Sequence, residues 1–317
     1  MSKHPYLFIV GSPRSGTTLL RRIVDSHPSI SVTPETHWIT RFYRDRTGLS
    51  DDDIVSTDTI DALLAHKRFP DLGVDSSKVK ALLSSDQTLT YPDFVSSVFD
   101  LYRQKKGKPL VADKTPPYVR KIDLLSRLFP DARFLHQIRD GRDVCLSMLT
   151  WRYAHKAAGR RPTWQEDPVT TCALWWEWHI RPGRKAGMEL SEKSYAEVRY
   201  ESLVNDPVTA VKQVCRFLRI PYDPNMLDFS KRRKQRNGPS LSANDARLPP
   251  TPGLRDWRRQ MPEDHQLRFE AAVGPLLDEL GLERRYKEPP LKALEHADRM
   301  RKQFFDPNLR ASRKRKR

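Results

Sequence analysis

The chain has 317 residues, of which 38% are hydrophobic, and 57 Lys and Arg against 40 Asp and Glu leave a net charge of +17. That length and apolar content support a real core, which excludes a disordered chain, and with a mean hydropathy of −0.70 no apolar run approaches a membrane span or a secretory leader. A cytoplasmic protein is expected, and so large a positive excess favours a polyanionic ligand or acceptor, a nucleic acid or an anionic membrane surface. Part of the excess is local, in "KRRKQR" at 231–236 and "SRKRKR" at 312–317, runs that solvation alone accommodates.

In chain order, "YLFIVG" at 6–11 predicts a short buried strand, and "TTLLRRIVDSH" behind it carries Leu19, Leu20, Ile23 and Val24 at helical spacing. A short second strand is expected before "TPETH", and residues 51–108 are mostly helical. "PLVADKTP" predicts a strand ending near Lys114, "YVRKIDLLSRLF" a helix, "ARFLHQI" a strand and "GRDVCLSMLTWRY" a helix. "TTCALWWEWHI" at 170–180 is a helix whose Trp175, Trp176 and Trp178 belong to the core. "AEVRY" predicts a strand, and "PVTAVKQVCRFL" a helix with Pro207 in its first turn. Residues 225–262, rich in Pro, Arg, Asn and Ser, form an irregular segment of the kind that serves as a lid. "EDHQLRFEAAVGPLLDEL" closes the pattern as an amphipathic helix.

Strands separated by helices pair in parallel and carry helices on both faces. The expected fold class is α/β, a P-loop-type three-layer α/β/α arrangement around a central, mainly parallel sheet. One domain over 1–287 and a helical, basic tail over 288–317 are expected. Cys145, Cys172 and Cys215 lack metal-ligand spacing and are expected as buried thiols, and His136, in mid-strand, as a core residue.

The turn between the first strand and the first helix, "GSPRSGTT", has the spacing of a phosphate loop, with four residues between Gly11 and Gly16. Such a turn points backbone N–H groups at one spot, and the helix dipole adds to them. Where a nucleotide triphosphatase carries its lysine, this chain has Thr17, followed by Thr18; Arg14 is the cation available instead. The loop therefore suits one terminal phosphate group better than a triphosphate with magnesium. Two other readings stay open: a P-loop nucleotide or small-molecule kinase, which the missing lysine opposes, and a basic nucleic-acid-binding protein, whose basic runs would need interleaved aromatics.

The stretch "GSPRSGTTLL" resembles the 5′-phosphosulfate loop of sulfotransferases that use 3′-phosphoadenosine-5′-phosphosulfate (PAPS) and no metal. The resemblance implies donor binding by Pro13, Arg14, Ser15, Gly16, Thr17 and Thr18. It also implies a 3′-phosphate site, which "FLHQIRDGRDVCLSM" supplies as Arg139 and Ser147. "VRYESLVNDP" is similar to the family segment that sets a tyrosine near the adenine, here Tyr200. "GLRDWRRQ" resembles the late segment folded over the 3′-phosphate, with Arg255, then Arg258, as contacts; the family's preceding Arg-Lys-Gly is replaced by "PTP" at 250–252.

Cytosolic members carry a catalytic histidine shortly after a Lys-Thr pair, and here "DKTPPY" has Pro116 in its place. Lys114 remains, to neutralise charge on the bridging oxygen together with Arg14. "SVTPETHW" resembles the Glu-Thr pair of the tyrosylprotein and bacterial branch, which implies Glu35 as the general base, with His37 as the rival. The expected reaction is in-line sulfuryl transfer from PAPS to an acceptor hydroxyl of unassigned class.

Overall fold

The computed structural model describes residues 6–83, 88–228 and 249–309. Both basic runs and the middle of the expected lid, 229–248, lie outside the described residues. The apolar runs pair into one five-stranded sheet of order β2-β3-β1-β4-β5. Its strands are β1 (Leu7–Gly11), β2 (Ile30–Val32), β3 (Leu110–Lys114), β4 (Arg133–Ile138) and β5 (Tyr195–Arg199). The pairs β1–β3, β1–β4 and β2–β3 all run parallel, with Phe8 opposite both Asp113 and Phe134.

Such strands read as continuous apolar runs because helices cover both faces. Phe8, Val10 and Phe134 enter one core with Trp38, Phe94 and Phe99, while Leu7, Ile9 and Leu135 enter another with Leu20, Ile23 and Val211. Alternation along β1 thus feeds two cores, and the α/β/α layering is as expected.

Contacts divide the described residues into two compact units. The first holds 6–11, 16–83, 88–137, 183–228 and 249–251, including both cores of the sheet; the second holds 12–15, 138–182 and 252–309. A third core, with Ile138, Met148, Trp175, Trp176, Phe269, Leu277 and Phe304, belongs to the second unit. The helix Leu291–Phe305, in the segment read as a tail, buries Ala297, Met300 and Phe304 there. All three cysteines are buried thiols. Among the described residues no helix is long and apolar enough to cross a membrane.

Several boundaries differ from expectation. The helix read at 118–129 opens as a 3-10 turn, Pro116–Lys121, and becomes α-helical only over Ile122–Leu128. The helix read at 141–153 ends at Leu149, where the Thr150 hydroxyl turns back onto Leu146 O at 3.1 Å. Tyr200 opens a helix, Tyr200–Asn205, and does not end β5. The described ends of the irregular segment hold two short helical turns, Pro224–Met226 and Trp257–Gln260. Asp223 and Asp256 cap them by accepting from Asn225 N and Arg258 N.

Candidate active site

The loop expected to bind phosphate begins where β1 runs out. Gly11 lies so close to β4 that an added Cβ would stand 2.5 Å from Gln137 O, so the strand ends on a residue without a side chain. Ser15 N–H donates to Ser12 O at 3.1 Å, Arg14 sits at φ 77° and Gly16 at φ 88°. Helix α1 (Thr17–Asp25) follows with no side-chain cap and no acidic residue in its first turn. Its first N–H groups and the positive end of its dipole are therefore open to an anion. Ser15 is fully buried, and its Oγ has no hydrogen-bond partner among the described residues.

The first unit gathers the residues expected to act on the acceptor. Lys114, the last residue of β3, donates to Glu35 Oε1 at 2.6 Å, and His37 Nε2 lies 2.9 Å from Glu35 Oε2. The Lys114 side chain retains 7% exposure and the Glu35 side chain 30%. Burial alone would raise the Glu35 pKa. The Lys114 ammonium and the hydrogen bond and charge of His37 outweigh it and hold the carboxyl well below its ordinary range. His37 takes the left-handed conformation, φ 59°, which turns the chain back so that its ring reaches the carboxylate two residues earlier. Tyr200 packs its ring on Gly16, where an added Cβ would stand 2.4 Å from Tyr200 Cδ2.

In the second unit Arg14 Nε donates to Ser147 Oγ at 3.0 Å, and its guanidinium lies 5.1 Å from the Trp151 ring centroid. The loop cation and the hydroxyl expected to hold the 3′-phosphate are thus in direct contact. Arg139, 6% exposed, pairs with Asp143 at 3.2 Å one helical turn on, and Asp143 Oδ1 accepts from Trp257 N at 2.9 Å. Burial pushes the Asp143 carboxyl up to about 6; Arg139 opposes the rise and Asp140 adds to it. Arg255 donates to its neighbour's carbonyl, Leu254 O, and Arg258 pairs with Glu283 at 2.7 Å.

Sequence reasoning passed over two sets of residues. Asp113, Thr33, Thr36, Thr115 and Tyr118 form a buried polar cluster next to Glu35 and Lys114. An aspartate inside the apolar strand "LVADK" was the available signal. Fully buried Arg142 pairs with Asp140 at 2.8 Å and with Glu270 at 2.7 Å, and its guanidinium lies 3.5 Å from the Trp257 ring centroid. Through Trp257 it packs against the late segment that contains Arg255, and no local pattern marks it. His136 is the core residue expected, fully buried and bonded through Nδ1 to the Tyr195 hydroxyl at 2.7 Å.

A family model described as "Sulfotransferase family" matches residues 5–224. Among curated proteins, protein-tyrosine sulfotransferase 2 of Gallus gallus is 28% identical over 294 residues, which cover 90% of this chain and 71% of that protein. Protein-tyrosine sulfotransferase 1 of Homo sapiens is 28% identical over 316 residues, 95% of this chain and 77% of that protein. Two solved structures share the fold. The sulfotransferase domain of the Synechococcus PCC 7002 olefin synthase has a TM-score of 0.58 at 24% identity, covering 88% of this chain and 95% of that one. The sulfotransferase domain from the curacin biosynthetic pathway has a TM-score of 0.60 at 21% identity, covering 90% and 100%.

Proposed function

The chain belongs to the sulfotransferase family, and from that premise we propose that it moves a sulfuryl group from PAPS to a phenolic hydroxyl, a peptide tyrosine being the first acceptor class to test. The observation that carries this reading is the Glu35–Lys114 contact at 2.6 Å, an ionised carboxylate and an ammonium at the end of a central strand. The acceptor class is suggested by the protein-tyrosine sulfotransferases among the relatives.

The residues present fit the donor. The buried Ser15 hydroxyl, the uncapped start of α1 and the close packing at Gly16 suit a phosphate group held by backbone N–H. Within the second unit Arg139, Ser147 and Arg255 are the residues proposed for the 3′-phosphate; within the first, Tyr200 is the one proposed for the base. Bound there, the donor supplies the sulfuryl group and leaves as adenosine 3′,5′-bisphosphate.

Glu35 takes the proton of the attacking hydroxyl as the new S–O bond forms. Its depressed pKa keeps it ionised at neutral pH, although it also makes the carboxylate a weak base. That weakness is tolerable where the bond to the leaving phosphate breaks early, because the hydroxyl turns acidic only as it bonds to sulfur. Lys114 donates to the oxygen that takes up the leaving electron pair, and Arg14 adds positive charge to the loop.

The test is incubation with sulfur-labelled PAPS and four acceptors: a tyrosine peptide, a carbohydrate, a lipid headgroup and a small phenol. Label on the tyrosine peptide, with release of adenosine 3′,5′-bisphosphate, is expected. Label on the carbohydrate or the headgroup alone refutes the phenolic assignment, and absence of label on all four refutes PAPS as donor.

A further inference from the structure

In an extended chain successive side chains leave on opposite faces. Asp113 and Lys114 are consecutive on β3, and Glu35 and Thr36 are consecutive in the segment that runs beside its end. Two backbone donors tie that segment to β3: Thr33 N to Ala112 O at 2.8 Å, and Thr36 N to Thr115 Oγ1 at 2.9 Å. Glu35 meets Lys114, and Thr36 meets Asp113, with Thr36 Oγ1 donating to Asp113 Oδ2 at 2.8 Å.

The same Asp113 oxygen accepts from Thr115 Oγ1 at 3.2 Å and Thr33 Oγ1 at 3.3 Å. Tyr118 completes the set: its hydroxyl lies 3.0 Å from Thr36 Oγ1 and accepts from Ile39 N at 3.1 Å. Asp113, Thr33 and Thr115 are fully buried, and Asp113 Oδ1 has no hydrogen-bond partner among the described residues. Burying a carboxyl with one oxygen unsatisfied is costly, and burial pushes this one up to about 6. An apolar residue at 113 would avoid that cost but would leave three hydroxyls without their common acceptor.

We infer that Asp113 is a positioning residue for the transfer: through Thr36 it sets the register between the Glu35 segment and β3, and so holds Glu35 against Lys114. A slip of one residue would place Thr36 where Glu35 stands. The inference rests on the reading of Glu35 as the base.

The experiment uses the full chain and four variants, Asp113→Asn, Thr36→Val, Thr36→Ser and Glu35→Gln, with turnover of labelled PAPS and calorimetric affinity for adenosine 3′,5′-bisphosphate as readouts. Asp113→Asn and Thr36→Val should each lower kcat about tenfold and leave nucleotide affinity within twofold, while Thr36→Ser, which keeps the hydroxyl, restores most of the rate. Because Asp113 acts through Glu35, Thr36→Val added to Glu35→Gln should cost less than twofold more.

Where Asp113→Asn fails to fold, the Val and Ser variants at position 36 carry the test. If Glu35→Gln abolishes turnover and folded Thr36→Val keeps the parental kcat, the inference is overturned and Glu35 stands as the base. Multiplying losses in the double variant overturn it too. Should Glu35→Gln retain full turnover, the base assignment falls, and the inference falls with it.

Discussion

The Glu35–Lys114 and Arg139–Asp143 contacts are both carboxylate–cation pairs at the ends of strands, yet they are built in opposite ways. The first joins residues 79 apart in sequence at 2.6 Å, and the carboxylate has Lys114 on one oxygen and His37 on the other. The second is a single helical turn, 3.2 Å long, with Asp140 adding like charge nearby. Burial raises both carboxyls; Lys114 and His37 outweigh it at Glu35, which ends well below its ordinary range, while Arg139 does not outweigh it at Asp143, which ends at about 6. Glu35 therefore stays ionised at neutral pH, at the expense of its strength as a base. On the proposed reading, an Arg139 whose carboxyl partner is half-neutral near pH 6 would be the one to meet a phosphate.

If that contrast is right, substitutions in the first pair act on turnover and those in the second act on donor affinity or on stability. Glu35→Gln keeps the shape and cannot take a proton, so kcat should fall by roughly a hundredfold to ten-thousandfold, with the affinity for adenosine 3′,5′-bisphosphate unchanged by calorimetry. His37→Ala should cost far less; the reverse ranking would move the base to the imidazole.

Lys114→Met should lower kcat by about a hundredfold to a thousandfold, since it removes the donor to the leaving oxygen. It should also move the acid limb of the pH–rate profile upward. With Lys114 gone, burial acts on Glu35 against His37 alone, so the carboxyl titrates at higher pH and the ionised form is lost earlier on acidification. An acid limb that stays in place would separate Lys114 from Glu35.

Arg139→Ala should weaken adenosine 3′,5′-bisphosphate about tenfold to a hundredfold, the loss of a charge-assisted hydrogen bond of about 1.5–3 kcal/mol, and spare adenosine 5′-phosphate. Equal losses for the two nucleotides would make Arg139 a part of the fold and not of the 3′-phosphate site.

The smallest effect is expected at Asp143. Its folded pKa of about 6 lies above the 3.8 of an unperturbed aspartate, so the folded state binds the proton more tightly. The stability this provides is complete below about pH 4 and is lost as pH rises through 6. Asp143→Asn should therefore gain stability relative to the parent over that interval, on the order of 1–2 kcal/mol, measured as the difference in melting temperature at several pH values. A constant difference across the range would mean that Asp143 titrates normally.

Much of the fold is legible in the sequence. The strands of the sheet and the long helices follow from apolar periodicity, and the loop follows from Gly11 and Gly16. Helix ends were less readable: one helix stops at Leu149, four residues short of the pattern, and Tyr200 begins another where the pattern suggested a strand. At the candidate site, Glu35, Lys114, Arg139 and Ser147 were proposed from motifs, and the structure sets Glu35 against Lys114 and Ser147 against Arg14. Asp113 and Arg142 were missed, because a buried charge is marked by its partners and not by its neighbours in sequence.

Composition and periodicity settle the class of fold, the order of its elements and the place of the glycine-bounded loop after β1, because all three depend on residues within a few positions of one another. Which side chains meet is a different matter. Thr36 reaches Asp113 across 77 residues, Trp257 reaches Asp143 across 114 and Arg14 reaches Ser147 across 133. Within the first unit such pairs depend on strand register, and within the second on helices packed around Trp176 and Phe269. Register and packing arise from the whole set of buried contacts acting together, so no short stretch of the chain contains them.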